Sequence, residues 1–284
     1  MNRKKVVIIG GGFGGLTAAK AIDDSIFNVI LIDKTNHHLF QPLHYHVAAA
    51  ALSPADIAIP IRSILNNKKN TRVLLDEAIT IDKTNKIVKL KNSELGYDYL
   101  ILAPGSHHSY FGKDEWENFA PGLKTLSDAL TIREKIINSL EMAEKENDAA
   151  TKRKLLTFVI VGGGPTGVEF AAFLKDENGK ILPATVPVAM QQGRYVAKII
   201  NGELKGKSHL AFRYIDKGNV ATIGKAKAVV EIKGFKLFGF FAWLIWCSIH
   251  IFYLIGFKNR FRVMVEWIWY YMTNKRGTRL IVGK

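Results

Sequence analysis

The 284-residue chain contains a single cysteine, Cys247. One thiol can form neither an intrachain disulfide nor a C-x-x-C redox pair, so electron transfer through a dithiol is excluded. Any redox chemistry must pass its electrons to something else. Acidic residues are also few, 25 against 40 lysines and arginines, which gives a formal charge of +15. No aromatic-interleaved basic stripe, zinc-ligand spacing or helix-turn-helix pattern accompanies that charge, which argues against nucleic acid as a partner. Only a few basic residues precede Val6, with no apolar segment of signal-peptide length behind them, so the bulk of the protein is expected in the cytoplasm. The apolar fraction of 48% is ample for a core in one or two domains.

What the chain does have is a pair of similar glycine loops, Gly10-Gly11-Gly12-Phe13-Gly14-Gly15 and Gly162-Gly163-Gly164-Pro165-Thr166-Gly167. In such a loop the first glycine makes a strand-to-helix turn, the second lets backbone approach a pyrophosphate, and the third permits close helix packing. The phosphates then sit on a helix N-terminus. Val6 to Ile9 reads as a buried strand before the first loop, and Leu16 to Ile22 as a helix start after it. Asn28 to Ile32 reads as the next strand and ends at Asp33, where an acid accepts hydrogen bonds from a ribose. Residues 5 to 34 are therefore expected to bind a dinucleotide.

The second loop opens equally well, with Leu155 to Val161 read as a strand and Val168 to Leu174 as a helix. The unit then stops. Where an acid-tipped strand belongs, the chain reads Asn178-Gly179-Lys180-Ile181-Leu182-Pro183, a turn pattern. Between the loops, Thr71 to Leu75 and Lys86 to Leu90 alternate like exposed antiparallel strands, and Asp98 to Ala103 reads as a buried strand ending at Pro104-Gly105. Thr125 to Asn147 reads as an amphipathic linking helix.

Leu237 to Phe257 is apolar, aromatic and free of formal charge. Its length suffices to span a bilayer core of about 30 Å. Trp243, Trp246, Trp267 and Trp269 cluster in or just after it, and Lys258, Arg260, Arg262, Lys275, Arg276, Arg279 and Lys284 follow. This combination favours an anionic lipid surface. Phe261, Met264, Val265, Ile268, Tyr271 and Met272 recur at helical spacing, as in a helix lying in the interface. A shallow monotopic hairpin and a single span through residues 237–257 both remain open, and a core hairpin or dimer interface is the third way to cover so much aromatic surface.

Taken together, these residues resemble the two-dinucleotide-binding-domain flavoproteins, and among them the type II NADH dehydrogenases that reduce quinones without pumping protons. The carriers are Val7 to Gly15, Gln41-Pro42-Leu43, Ala51 to Ile57, Asp98 to Ser106 and Ala120 to Thr125, followed by Gly162 to Glu169, Pro187 to Arg194 and Phe212 to Gly218. The resemblance implies an α/β Rossmann-like FAD/NAD(P)-binding fold with a truncated second domain and C-terminal membrane-associated helices. It implies that Gly10, Gly12, Phe13, Gly14 and Gly15 cradle the FAD pyrophosphate, that Asp33 with Lys34 takes the adenosine ribose, and that Ala103 and Gly105 pass beside the flavin. Gly162, Gly164 and Gly167 would face NADH. Glu169 would lie where the nicotinamide, flavin and quinone pockets meet, and Gln191 and Gln192 would border the quinone tunnel. The choice of NADH over NADPH rests on the resemblance alone.

Three departures accompany it. Val186-Pro187 stand where many relatives have Ala-Gln, Pro104 replaces a usual threonine, and no Gly-Asp strand follows a full NADH-binding domain. The expected domains are 1–123 and 179–232 for FAD, 124–178 for a linker helix and truncated NADH unit, and 233–284 for membrane anchoring. The implied activity is FAD-dependent NADH:quinone reduction at the cytoplasmic face of the cell or inner membrane, with homodimerisation left open. The alternatives are a non-catalytic nucleotide-binding remnant or another flavin reductase of this fold. A sulfide:quinone reductase would need the paired cysteines that this chain lacks. His37 and His38 have no carboxylate or cysteine spacing around them and are read as structural.

Overall fold

A computed structural model describes residues 3–162, 166, 186–203, 218–224, 226–232 and 234–273. The chain divides into two compact units drawn from interleaved segments, residues 1–38, 59–106 and 185–216 in one, and 39–58, 107–184 and 217–284 in the other. In chain order the strands are β1 (Lys4–Ile9), β2 (Phe27–Asp33), β3 (His37–Leu39), β4 (Ala58–Pro60), β5 (Thr71–Leu75) and β6 (Ala78–Asp82). They continue as β7 (Ile87–Leu90), β8 (Glu94–Gly96), β9 (Tyr99–Leu102), β10 (Asn219–Gly224), β11 (Lys227–Ile232) and β12 (Phe235–Phe238).

In the first unit β5-β2-β1-β9 form one parallel sheet. Parallel strands are covered on both faces, which explains the unbroken apolar runs of β1 and β2. Val6, Val7 and Ile8 are 0% exposed. The second sheet, β6-β7-β8, is antiparallel, and its Val88 and Leu90 join Val7, Ile30 and Ile32 in one hydrophobic cluster. Thr71–Leu75 is thus a parallel edge strand beside β2, not the antiparallel strand expected. Alternation reports that one face is covered but carries no information on strand direction.

The helix Phe13–Ala21 leaves the glycine turn after β1 and packs against Val186–Glu203, here called the return helix. Gly193 makes the approach possible, because a Cβ built there would lie 2.3 Å from the Gly14 carbonyl oxygen. Asn201 ties the far end: its Oδ1 accepts from the Asp23 N–H at 3.0 Å and its Nδ2 donates to the Ala21 carbonyl at 2.8 Å. Replacing Asn201 by Leu removes both bonds, and the expected loss of about 1–2 kcal/mol lowers the melting temperature by roughly 2–6 °C. Differential scanning calorimetry of the two proteins checks this.

In the second unit β10-β11-β12 form an antiparallel sheet that carries the helix Gly239–Tyr253, followed by the helix Phe257–Thr273. The apolar run 237–257 is therefore not one segment. Gly239 and Gly256 adopt φ of +79° and +87°, a left-handed region open to glycine at little steric cost. They divide the run into the end of β12, a 15-residue helix and a turn. Fifteen residues give about 22 Å of helix, and among the described residues no helix is long and apolar enough to cross a membrane. The single-span option is set aside.

One further expectation is met and another changes. The linking helix runs Leu126–Lys145, with Thr125 and Asp128 as its capping box. A second helix, Ala149–Leu155, occupies the start of the segment read as a strand. Residues 157–162 follow without strand pairing, and Val159 and Val161 are 83% and 84% exposed. The helix expected at Val168 to Leu174 lies outside the described residues.

Candidate functional site

The first glycine loop is shaped by contacts that only glycine permits. Gly10 has φ +99°, and a Cβ there would lie 2.1 Å from the Ala103 carbonyl oxygen. At Gly15 a Cβ would meet the Gly10 carbonyl oxygen at 1.9 Å. Gly12 differs, since nothing stands within 4 Å of a Cβ built on it. It caps the helix Phe13–Ala21 with no side-chain acceptor, so the opening turn with Gly14 directs backbone donors at an anion.

Two side chains grip the loop from behind. The Gly11 N–H donates to Asp33 Oδ2 at 2.6 Å, and His38 Nδ1 lies 3.0 Å from the Gly11 carbonyl oxygen. Asp33 Oδ1 accepts from the Thr35 N–H and Oγ1, both at 2.7 Å. Ala103 is fixed by its N–H bond to Ile9 at 2.8 Å and Gly105 sits at φ +76°. Steric space at Gly12, backbone donors beyond it and a carboxylate at the end of β2 fit the adenosine diphosphate half of FAD.

Gly10, Gly12, Phe13, Gly14, Gly15, Asp33 and Ala103 thus gather in one unit, while Lys34 is exposed. Gly162 belongs to the second unit, with φ +105° and an exposed position. Gly164, Gly167 and Glu169, and the side chain of Gln192, lie outside the described residues. Gln191 is half-buried on the return helix. His38 was read as structural, and its bond to the glycine loop had no signal beyond the His37-His38 pair.

The second unit holds a buried histidine and aromatic cluster. Trp246 lies 4.2 Å from His250 and 5.1 Å from Trp267 between ring centroids, and His46 lies 6.0 Å from Trp246. Asn259 Nδ2 donates to the carbonyls of Ala55 and Asp56 at 2.9 and 3.0 Å, docking the helix Phe257–Thr273 on the Ser53–Asp56 capping box. Gln41 donates to the Lys124 carbonyl, and the His44 ring stands between the carbonyls of Gln41 and Leu123. Burial pushes the Cys247 thiol up to about 12, so it is inert as a nucleophile at neutral pH.

Burial lowers the pKa of His44 and His38 and takes His250 down to about 4. The unfolded chain then binds protons that the folded protein resists, so stability is full above pH about 6.5 and falls as pH drops toward 4. His250 alone should remove about 1–2 kcal/mol at pH 5. Thermal unfolding at pH 7.5 and 5.0 should show the lower midpoint at pH 5.0, and His250→Phe should narrow the difference.

Residues 4–202 match the profile of the pyridine nucleotide-disulphide oxidoreductase family, and residues 217–275 match the NDH2 C-terminal domain. The type II NADH:quinone oxidoreductase NdhA of Mycobacterium tuberculosis is 30% identical over 423 aligned positions, covering 99% of this chain and 90% of that protein. The Ndh protein of the same organism is 29% identical over 421 positions, covering 99% and 91%. Both alignments far exceed the 284 residues of this chain, so long stretches of those relatives have no counterpart here. A solved structure of NDH2 from Plasmodium falciparum in complex with NADH superposes with a TM-score of 0.85 at 18% identity, covering 98% of this chain and 100% of that one. At that identity the likeness speaks for the fold. With a family profile across most of its length and a relative aligned nearly end to end, the chain belongs to the pyridine nucleotide-disulphide oxidoreductases and, within them, to the type II NADH:quinone oxidoreductases.

Proposed function

We propose that this protein is a membrane-associated, non-electrogenic NADH:quinone oxidoreductase that uses FAD. The observation that carries the reading is a glycine cradle closed by Asp33 in a chain aligned across its length with such enzymes. FAD, when bound, would supply the redox chemistry that links NADH oxidation to quinone reduction. The protein positions it. Gly10 to Gly15 would hold the pyrophosphate, Asp33 would accept from the ribose, and Ala103 and Gly105 would bring backbone close to the ring. Gln191 and Gln192 donate amide N–H groups to the quinone carbonyls, and their amide oxygens accept from the hydroxyls of the reduced quinol, since an amide side chain has both functions. Glu169 serves as the proton relay, and Gly162, Gly164 and Gly167 face NADH.

Within this reading residues 1–123 and 179–232 form the FAD domain, 124–178 the shortened NADH unit, and 233–284 the membrane anchor. The anchor lies on the cytoplasmic face of the membrane, its apolar helices in contact with lipid. A homodimer that covers the same helices is the competing arrangement.

One observation favours a second reading, a flavin-binding remnant without turnover. Thr157 to Gly162 carry the sequence of a buried strand, yet they are exposed. Protein purified in detergent and supplied with NADH and a soluble quinone separates the two. Flavin absorbance with NADH oxidation supports the enzyme, flavin absorbance without oxidation supports the remnant, and absence of both sinks the two together.

A further inference from the structure

Gly11 is held at both of its polar ends. Its N–H donates to Asp33 Oδ2 and its carbonyl lies 3.0 Å from His38 Nδ1. His38 is 3% exposed and its ring sits edge-on to Phe13 at 4.8 Å. A carbonyl oxygen can only accept, so Nδ1 must carry a proton, and Nε2, if the ring is neutral, has none to give. Nε2 is buried and has no hydrogen-bond partner, which leaves the Gly11 carbonyl as the hydrogen-bonded contact that orients the ring beside Phe13.

A trans peptide is planar, with its C=O and N–H directed oppositely. The Gly11 carbonyl shares its peptide with the Gly12 N–H. Fixing that oxygen toward His38 therefore turns the Gly12 N–H the other way, at a glycine with open space around its Cβ position. Without the imidazole this peptide could rotate, because glycine on both sides imposes little steric resistance. Asp33 restrains only the preceding peptide, through the Gly11 N–H.

We propose that His38 is a positioning residue for the dinucleotide diphosphate, acting through the Gly11–Gly12 peptide to preset a backbone donor for a phosphate oxygen. The proposal rests on the glycine loop being the dinucleotide site. It also distinguishes His38 from Asp33, which bears on the ribose, so the two should affect different parts of one ligand.

Full-length protein in detergent, freed of flavin, is titrated calorimetrically with FAD, ADP and adenosine. His38→Leu removes the donor. His38→Asn places an amide N–H near the Nδ1 position, and His38→Gln places one near Nε2. His38→Leu and His38→Gln should weaken FAD and ADP about 10- to 100-fold, the scale of one preset donor to a charged oxygen, and leave adenosine within about threefold. His38→Asn should restore most of the loss. A general packing defect would weaken adenosine as much as ADP and would not be rescued by Asn, and that result overturns the proposal. Unchanged ADP binding in all three variants overturns it equally. Failure of the unmodified protein to bind either FAD or ADP would instead overturn the underlying assignment of the loop.

Discussion

Replacing Gly12 by Val should strip the protein of FAD while leaving it folded. Gly12 has φ −70° and ψ −165°, a conformation open to any residue, and a Cβ there touches nothing. The apoprotein should melt within a few degrees of the parent, since exchanging a glycine cap for the less favoured valine costs about 1 kcal/mol. The same isopropyl group would occupy the face on which the diphosphate lies. Loss of its close backbone approach should reduce FAD affinity at least about 100-fold. Neighbouring glycines should behave differently. Gly10→Val and Gly15→Ala both push a Cβ to about 2 Å from a backbone carbonyl, so they should damage the fold before any ligand is added. Flavin absorbance and calorimetry on the three purified variants test the contrast. Equal loss of stability in all three would mean that the loop is not shaped as described, and full flavin occupancy of the Gly12 variant would mean that the diphosphate binds elsewhere.

A second large effect is expected at the C-terminal helices. Phe241, Phe252, Phe257, Phe261 and Met272 are 56–83% exposed, whereas Ala242, Trp246, Val263 and Trp267 face inward. Burying one such phenylalanine in lipid is worth about 1.5–3 kcal/mol. The double replacement Phe241→Asp with Phe257→Asp should therefore lower partitioning onto anionic vesicles at least about 100-fold. Both side chains are exposed, so folding should be spared. Lys258 and Arg262 are also exposed and should make binding of the parent stronger on anionic than on neutral vesicles, with the difference shrinking in salt. Arg260 is less suited to that role, because it already donates to the carbonyls of Leu254 and Phe252. Vesicle sedimentation reads the outcome. If the double variant loses a dimer in sedimentation velocity but keeps its vesicle affinity, the apolar surface belongs to a second copy instead.

The parts of the fold that could be read from the residues are those encoded locally. A glycine turn between an apolar strand and a small-residue helix, with an acid at the next strand tip, is a short-range pattern, and Gly10 to Gly15 with Asp33 fall where it predicts. The direction of Thr71–Leu75 was not readable, because alternation reports burial and not the partner. Length and hydropathy made Leu237 to Phe257 look continuous, whereas the left-handed φ of Gly239 breaks it. The expected strand at Leu155 to Val161 fails for a different reason. A strand is completed by its neighbours, and residues 157–162 pair with none among the described residues. His38, Gly193 and Asn201 were invisible as site or packing residues since each acts across a contact of long sequence separation, 27 residues for His38 to Gly11 and 178 for Asn201 to Asp23.

The interleaving of the two units also sets an order of events during synthesis. The glycine-loop helix leaves the ribosome early, but the return helix that covers it, with Gly193 against Gly14, is made only after residues 107–184 of the other unit have emerged. Until then the uncovered face of that helix is a natural client for a holding chaperone. A chain that stops before residue 186 should be degraded instead of accumulating as a half-built flavoprotein, and a change in the length of the intervening segment alters how long the first helix waits and not what it waits for.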